Sequence, residues 1–197
     1  MSVTKLSKRK ILLLNDNEIQ RFASQFLDWF AANFSCVKPS VTVWLVPQNE
    51  WDKLAFITEP SLAAGKDLVS HEMIVGFMLC RKQIGEKEAK TPLERLILKF
   101  CGGADYSVFL NVHLLYLRSK SKMNVFDLLI KQSLVCELLR TIENANRKNL
   151  LGPDRDAFAY AFLAQFLSEQ PELKSQFKFV TDIQPVKDRF AGEKTDD

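Results

Sequence analysis

The chain has 197 residues, of which 47% are hydrophobic and 26% are charged, a balance typical of one soluble globular domain. Its net charge of +3 neither requires nor excludes a nucleic acid partner. With only seven Gly, seven Pro and no internal repeat, the composition excludes fibrous, low-complexity and repeat proteins, and no segment approaches the length of a membrane span.

The first 14 residues are predicted to form a basic N-terminal segment. The short apolar run Ile11–Leu14 is broken at once by Asn15 and Asp16, which makes it too short for the core of a secretory signal. Without an export signal, widely spaced cysteines indicate free thiols in a reducing compartment, so a cytoplasmic location is expected. The four are Cys36, Cys80, Cys101 and Cys136.

Several elements are predicted in the first two thirds of the chain. Residues 15–34 carry apolar side chains at helical spacing, with Asn15 or Asp16 as the cap. The runs 41–46, 73–79 and 106–117 are β-branched or strongly apolar and predict strands. Between the last two runs, Thr91-Pro92 predicts the start of a helix that Gly102-Gly103 ends.

Two helices are predicted near the C-terminal end. The first begins at Asn124, which with Asp127 resembles a capping box, and runs to about Arg147. The second covers Asp156 to Leu167, and the short connection predicts that the two helices pack together.

The predicted fold class is therefore α+β, with an N-terminal helix, a small mixed or antiparallel sheet, and two packed C-terminal helices. One domain is expected over residues 15–170. Residues 171–197 are expected to form a partly disordered C-terminal extension.

The helix containing the stretch LVCELLRTI (residues 134–142) has an unusual polar side. Gln132, Cys136, Arg140 and Asn144 lie four residues apart, opposite an apolar stripe, which predicts an exposed polar ridge. A zinc-binding helix has two histidines one turn apart on such a ridge, with a glutamate between them that activates the bound water. In this chain Cys136 and Arg140 stand at the histidine positions and Glu137 at the glutamate position.

This stretch resembles the HExxH helix of minimal zincin-type metallopeptidases from phage and mobile-element proteins. In that family an N-terminal helix and a small sheet precede the metal helix, and a later helix rich in Ala and Phe carries an acidic ligand, where this chain has Asp156. The resemblance implies a zincin-like fold whose metal ligands are lost. Although a Cys136 thiolate could bind zinc, the Arg140 guanidinium has no lone pair to offer and would repel a dication. No metal, cofactor or catalytic residue is therefore expected.

Other interpretations of the same residues stay open. Glu137 and Arg140 are three residues apart, as in ordinary surface ion pairs of a helix without zincin ancestry. An enzyme with a noncanonical site at Cys136, Glu137 and Asp156 is a further alternative. Of the two histidines, His71 lacks a second metal ligand at position 75, and His113 lies inside a predicted strand, where a structural role is expected.

The leading functional hypothesis is a non-catalytic binding or scaffold protein, an inactive relative of metallopeptidases that engages a protein partner and no membrane. The alternative is a nucleic-acid-binding accessory protein whose cationic side chains contact phosphates. The candidate contacts are Lys8, Arg9, Lys10, Arg118, Lys120 and Lys122.

Overall fold

The computed structural model describes residues 2–4, 13–51, 54, 75–81, 92–147 and 155–170. They form an α+β fold, as predicted. Residues 48–51 are also helical. The strands and longer helices, in chain order, are β1 (Ser2–Thr4), β2 (Leu13–Asn15), α1 (Asn17–Phe34), β3 (Val41–Val46), β4 (Gly76–Cys80), α2 (Pro92–Cys101), β5 (Tyr106–Asn111), α3 (Val112–Arg118), α4 (Met123–Asn146) and α5 (Arg155–Glu169).

The strands form a mixed sheet in the order β1-β2-β3-β5-β4. The central strands β3 and β5 run parallel, from the Val41–Tyr106 pair to the Val46–Asn111 pair, and the other neighbours are antiparallel. Helices α1, α4 and α5 cover one face, where Val43 of β3 and Val108 of β5 enter the main core. Helix α2 and residue Trp51 cover the opposite face. The fold therefore has three layers, with the sheet between α1, α4 and α5 on one face and α2 on the other.

Aromatic side chains fill the space between α1 and α5. Phe26 of α1 meets Phe166 of α5 edge-to-face, with ring centroids 5.5 Å apart, and Phe30 lies 5.1 Å from Phe162. At the rim of this core, the indole Nε1 of Trp29 donates a hydrogen bond of 2.7 Å to a Glu169 carboxylate oxygen. The predicted packing of α5 against α4 is confirmed as well, because both helices contribute fully buried side chains to this core.

A side chain completes the hydrogen bonding of β3. Strand β2 pairs with β3 at Leu14 and Leu45, near the end of β3. Earlier along β3, the Gln20 amide of α1 donates to the carbonyl oxygen of Val41 and accepts from the backbone amide of Val43, both at 2.9 Å. Gln20 therefore supplies the donor and the acceptor that a neighbouring strand would otherwise offer.

Several predicted boundaries are confirmed. Helix α1 is capped by Asp16, whose Oδ1 accepts hydrogen bonds from the amides of Glu18 and Ile19 at 2.8 and 3.3 Å. Strand β3 covers the predicted residues 41–46. Helix α2 begins at Pro92 and ends just before Gly102, whose positive φ of 53° favours glycine.

Three other predictions need correction. The strand predicted over residues 106–117 ends at Asn111, because the Asn111 side chain accepts a hydrogen bond of 3.0 Å from the Leu114 amide and caps α3. His113 is accordingly exposed on a helix. Asn124 is not a cap, since α4 already begins at Met123. The strand predicted over 73–79 is β4, at 76–80, and residues 73 and 74 lie outside the described residues.

Candidate functional site

The middle of α4 is buried on all sides. The sequence predicted an exposed polar ridge there, and this is wrong at its centre, because Cys136 is 8% exposed and Glu137 only 4%. Along the same ridge, Gln132 and Arg140 are half-buried and Asn144 is exposed. The reason for the burial is the position of α4, which contacts β4 and β5 of the sheet as well as α1 and α5. A helix with neighbours on several sides buries polar positions that helical spacing alone would place at the surface.

Glu137 and Arg140 form an ion pair that reaches from this interior to the surface. The Arg140 Nη1 donates a hydrogen bond of 2.7 Å to Glu137 Oε1. The Glu137 side chain is 5% exposed and that of Arg140 is 34% exposed. The expected pairing is thus confirmed, but the pair is not an ordinary surface pair. The guanidinium compensates a carboxylate that burial would otherwise destabilise strongly.

A glycine makes room for Glu137 at the start of β4. A Cβ atom on Gly76 would lie 3.1 Å from Glu137 Cγ, 3.0 Å from Leu110 Cδ2 and 3.3 Å from the carbonyl oxygen of Phe109. These distances are shorter than ordinary van der Waals contacts between carbon atoms. The glutamate side chain therefore lies directly against the backbone of β4, in a space that a larger residue at position 76 would take.

A metal site at the altered motif would need several ligand side chains to meet at one point. Asp156 lies in the first turn of α5, but its side chain is outside the described residues. Within the described ranges, no three His, Cys, Asp or Glu side chains come together in a group that could hold a metal ion. At Glu137, one carboxylate oxygen accepts from a permanently charged guanidinium.

The four cysteines lie in or at the edge of the hydrophobic core. Cys80, Cys101 and Cys136 are buried, and Cys36 is half-buried. Burial raises the pKa of the Cys101 thiol, which lies 3.8 Å from the Leu79 carbonyl oxygen. A raised pKa keeps a thiol protonated and unreactive.

A buried tyrosine beside Cys80 links β5 to α4. The Tyr106 hydroxyl donates a hydrogen bond of 2.9 Å to Asn144 Oδ1. Burial raises the pKa of Tyr106 well above its ordinary value, and the neighbouring Cys80 raises it further. The phenol is therefore held in its neutral form, as a structural hydrogen-bond donor.

The predicted cationic residues fall into two groups. Arg118, Lys120 and Lys122 are all exposed where α3 leads into α4. Lys8, Arg9 and Lys10 lie outside the described residues.

Exposed apolar side chains accompany Arg118, Lys120 and Lys122, and the sequence predictions missed them. Tyr116 is 39% exposed, Leu117 57% and Met123 65%. The available signal was the stretch YLRSKSKM (residues 116–123), in which three cationic residues lie between large apolar ones. The strand wrongly predicted up to residue 117 concealed it.

Comparison of the chain with protein-family models, curated proteins and solved structures finds no match in any of the three. Among the residues that the structure describes, no helix combines the length and apolar character needed to cross a membrane.

Proposed function

We propose that this protein is a non-catalytic binding or scaffold protein that engages a macromolecular partner, with an inactive metallopeptidase-like motif in α4. The pairing of buried Glu137 with Arg140 carries this proposal. In a peptidase of this kind, the glutamate faces a water-filled cleft and exchanges protons with bound water. Here the equivalent carboxylate is packed against Gly76 and bound to a cation within its own helix. The motif then contributes to packing between α4 and the sheet.

Metal content and peptide cleavage test the catalytic half of this proposal. Protein purified without a histidine tag and without chelator should carry no stoichiometric zinc by elemental mass spectrometry. It should also show no more peptidase activity than the Glu137→Gln variant. Glu143→Gln, which changes another glutamate of α4, is the matched control. One zinc per chain, or cleavage that only Glu137→Gln removes, would overturn the proposal. It would favour the alternative of an enzyme that uses Cys136, Glu137 and Asp156.

A second candidate function is nucleic acid binding through Arg118, Lys120 and Lys122. The exposure of all three cationic side chains over one short stretch supports it. Contacts to phosphates release counterions, so the affinity for single-stranded DNA should fall steeply with salt, with a slope of about two in log Kd against log salt for three contacts. Binding that is absent at low salt would end this candidate.

A further inference from the structure

The junction of α3 and α4 presents an apolar surface to solvent. Here this surface is called the α3–α4 corner. Leu117 and Met123 are more than half exposed. Tyr116 leans edge-to-face on Phe126, with ring centroids 5.6 Å apart. Met123 lies one helical turn before Phe126 and so on the same side of α4. The corner consists of Tyr116, Leu117, Arg118, Lys120, Lys122 and Met123.

Three cationic side chains are exposed at the same corner. No acidic residue occurs in the sequence between Asp105 and Asp127, whereas this interval contains Arg118, Lys120 and Lys122. Asp127 itself is bound to the buried Lys131, whose Nζ lies 2.6 Å from Asp127 Oδ2. A ligand with negative charge would therefore be attracted to the corner.

The turn that displays these side chains is held in a strained conformation. Lys120 and Ser121 have positive φ angles of 52° and 61°, where non-glycine residues are uncommon and cost about 1 kcal/mol or more each. Hydrogen bonds fix the turn: the Lys120 amide donates to Leu117 and the Lys122 amide to Ser119, at 3.0 and 3.1 Å. Glycine would relieve the strain at position 120, but it would remove a cationic side chain from the corner.

We propose that the α3–α4 corner binds an acidic amphipathic segment of a partner protein, in which Asp or Glu residues alternate with Leu or Phe. This inference rests on the proposed binding function and names the chemistry of the partner. Charge complementarity with the cationic side chains supplies the attraction, and the apolar residues of the segment cover Leu117 and Met123.

Two other kinds of ligand fit this surface less well. Single-stranded nucleic acids stack their bases on open aromatic faces, whereas the exposed apolar side chains here are aliphatic except for Tyr116, which packs on Phe126. A lipid surface is bound by long amphipathic helices, and α3 has only seven residues.

Fluorescence anisotropy of the full chain with a labelled synthetic peptide tests the proposal. The peptide alternates Glu with Leu and Phe, and a second peptide keeps every Glu but replaces the apolar residues by Ser. The first peptide should bind at least tenfold more tightly than the second. Leu117→Ser combined with Met123→Ser should weaken its binding at least tenfold, and so should Lys120→Ser combined with Lys122→Ser.

Matched controls and competitors decide between the ligand classes. Val37→Ser, which changes a side chain 65% exposed elsewhere, and Lys99→Ser on α2 should leave the affinity unchanged. Circular dichroism checks that each variant is folded. If the Leu117→Ser/Met123→Ser variant does not fold, the Lys120→Ser/Lys122→Ser variant still tests the proposal. The proposal is overturned by equal binding of both peptides, by no binding at low salt, or by tighter binding of single-stranded DNA or phosphatidylserine vesicles. None of these outcomes changes the zinc and cleavage results, so a failure here is distinguishable from a failure of the proposed function.

Discussion

Replacing Arg140 by Met tests the energetic role of the buried ion pair. The change keeps most of the aliphatic length of the side chain but removes the charge and the 2.7 Å hydrogen bond to Glu137. The carboxylate is then left in an interior where its side chain is 5% exposed. We expect this variant to unfold more easily than the wild type.

The size of the effect follows from the exposure of the two partners. Removing one partner of a fully buried pair costs about 3–5 kcal/mol, whereas exposed pairs contribute about 1 kcal/mol or less. Arg140 is 34% exposed, so water can reach the guanidinium end of the pair and partly rehydrate the carboxylate. We therefore expect a loss of about 2–3 kcal/mol for Arg140→Met, between these two limits.

Urea unfolding with linear extrapolation measures this loss, provided that the m value is unchanged. The double variant Glu137→Met/Arg140→Met removes both charges of this pair and should lie within about 1 kcal/mol of the wild type. Arg21→Met, at an exposed position of α1, is the control for loss of an arginine. A loss below about 0.5 kcal/mol for Arg140→Met, or strict additivity in the double variant, would refute the reasoning.

Three further changes test other contacts, each by the same unfolding measurement. Gly76→Ala should lower the free energy of unfolding by about 1–3 kcal/mol, because its Cβ would meet Glu137 and the Phe109 backbone. Gly103→Ala, whose Cβ meets nothing within 4 Å, should be near neutral, and equal effects of the two changes would contradict this. Gln20→Ala leaves a donor and an acceptor of β3 unsatisfied and should cost about 1–3 kcal/mol, with little effect expected for its exposed neighbour Ser24→Ala. Burial raises the folded-state pKa of Tyr106, so above about pH 10 the unfolded chain loses this proton first and the stability of the fold decreases. Tyr106→Phe should make this decrease smaller, and a pH profile that is unchanged in the variant would contradict the prediction.

The elements with clear local signals were predictable. Asp16 precedes a long apolar periodicity, Val41–Val46 is a continuous β-branched and aromatic run, and Pro92 with Gly102 brackets a helix, so local chemistry and tertiary structure agree there. The run from Tyr106 was ambiguous, since an apolar segment of that length fits a strand or a buried helix equally well. The hydrogen bond from the Leu114 amide to the Asn111 side chain marks where the strand ends and the helix begins.

The environment of the candidate site was not predictable from helical periodicity. On a helical wheel, positions 132, 136 and 140 lie on one polar side of α4. Their exposure, however, depends on how many other helices and strands pack against α4. The contacts of α4 with β4 and β5 come from distant parts of the chain, and they bury Glu137 beside Gly76. Spacing alone predicted the partner of Glu137 correctly and its burial wrongly.

The contact between Gly76 and Glu137 has a consequence for how the sequence can vary. The two positions share one small volume, so a side chain can grow at one of them only if it shrinks at the other. In related chains, an alanine or serine at position 76 should therefore coincide with a shorter residue at position 137, and the loss of that carboxylate should in turn release position 140 from being arginine. These three sites would then change together as one unit, linking a strand and a helix that lie far apart in the chain.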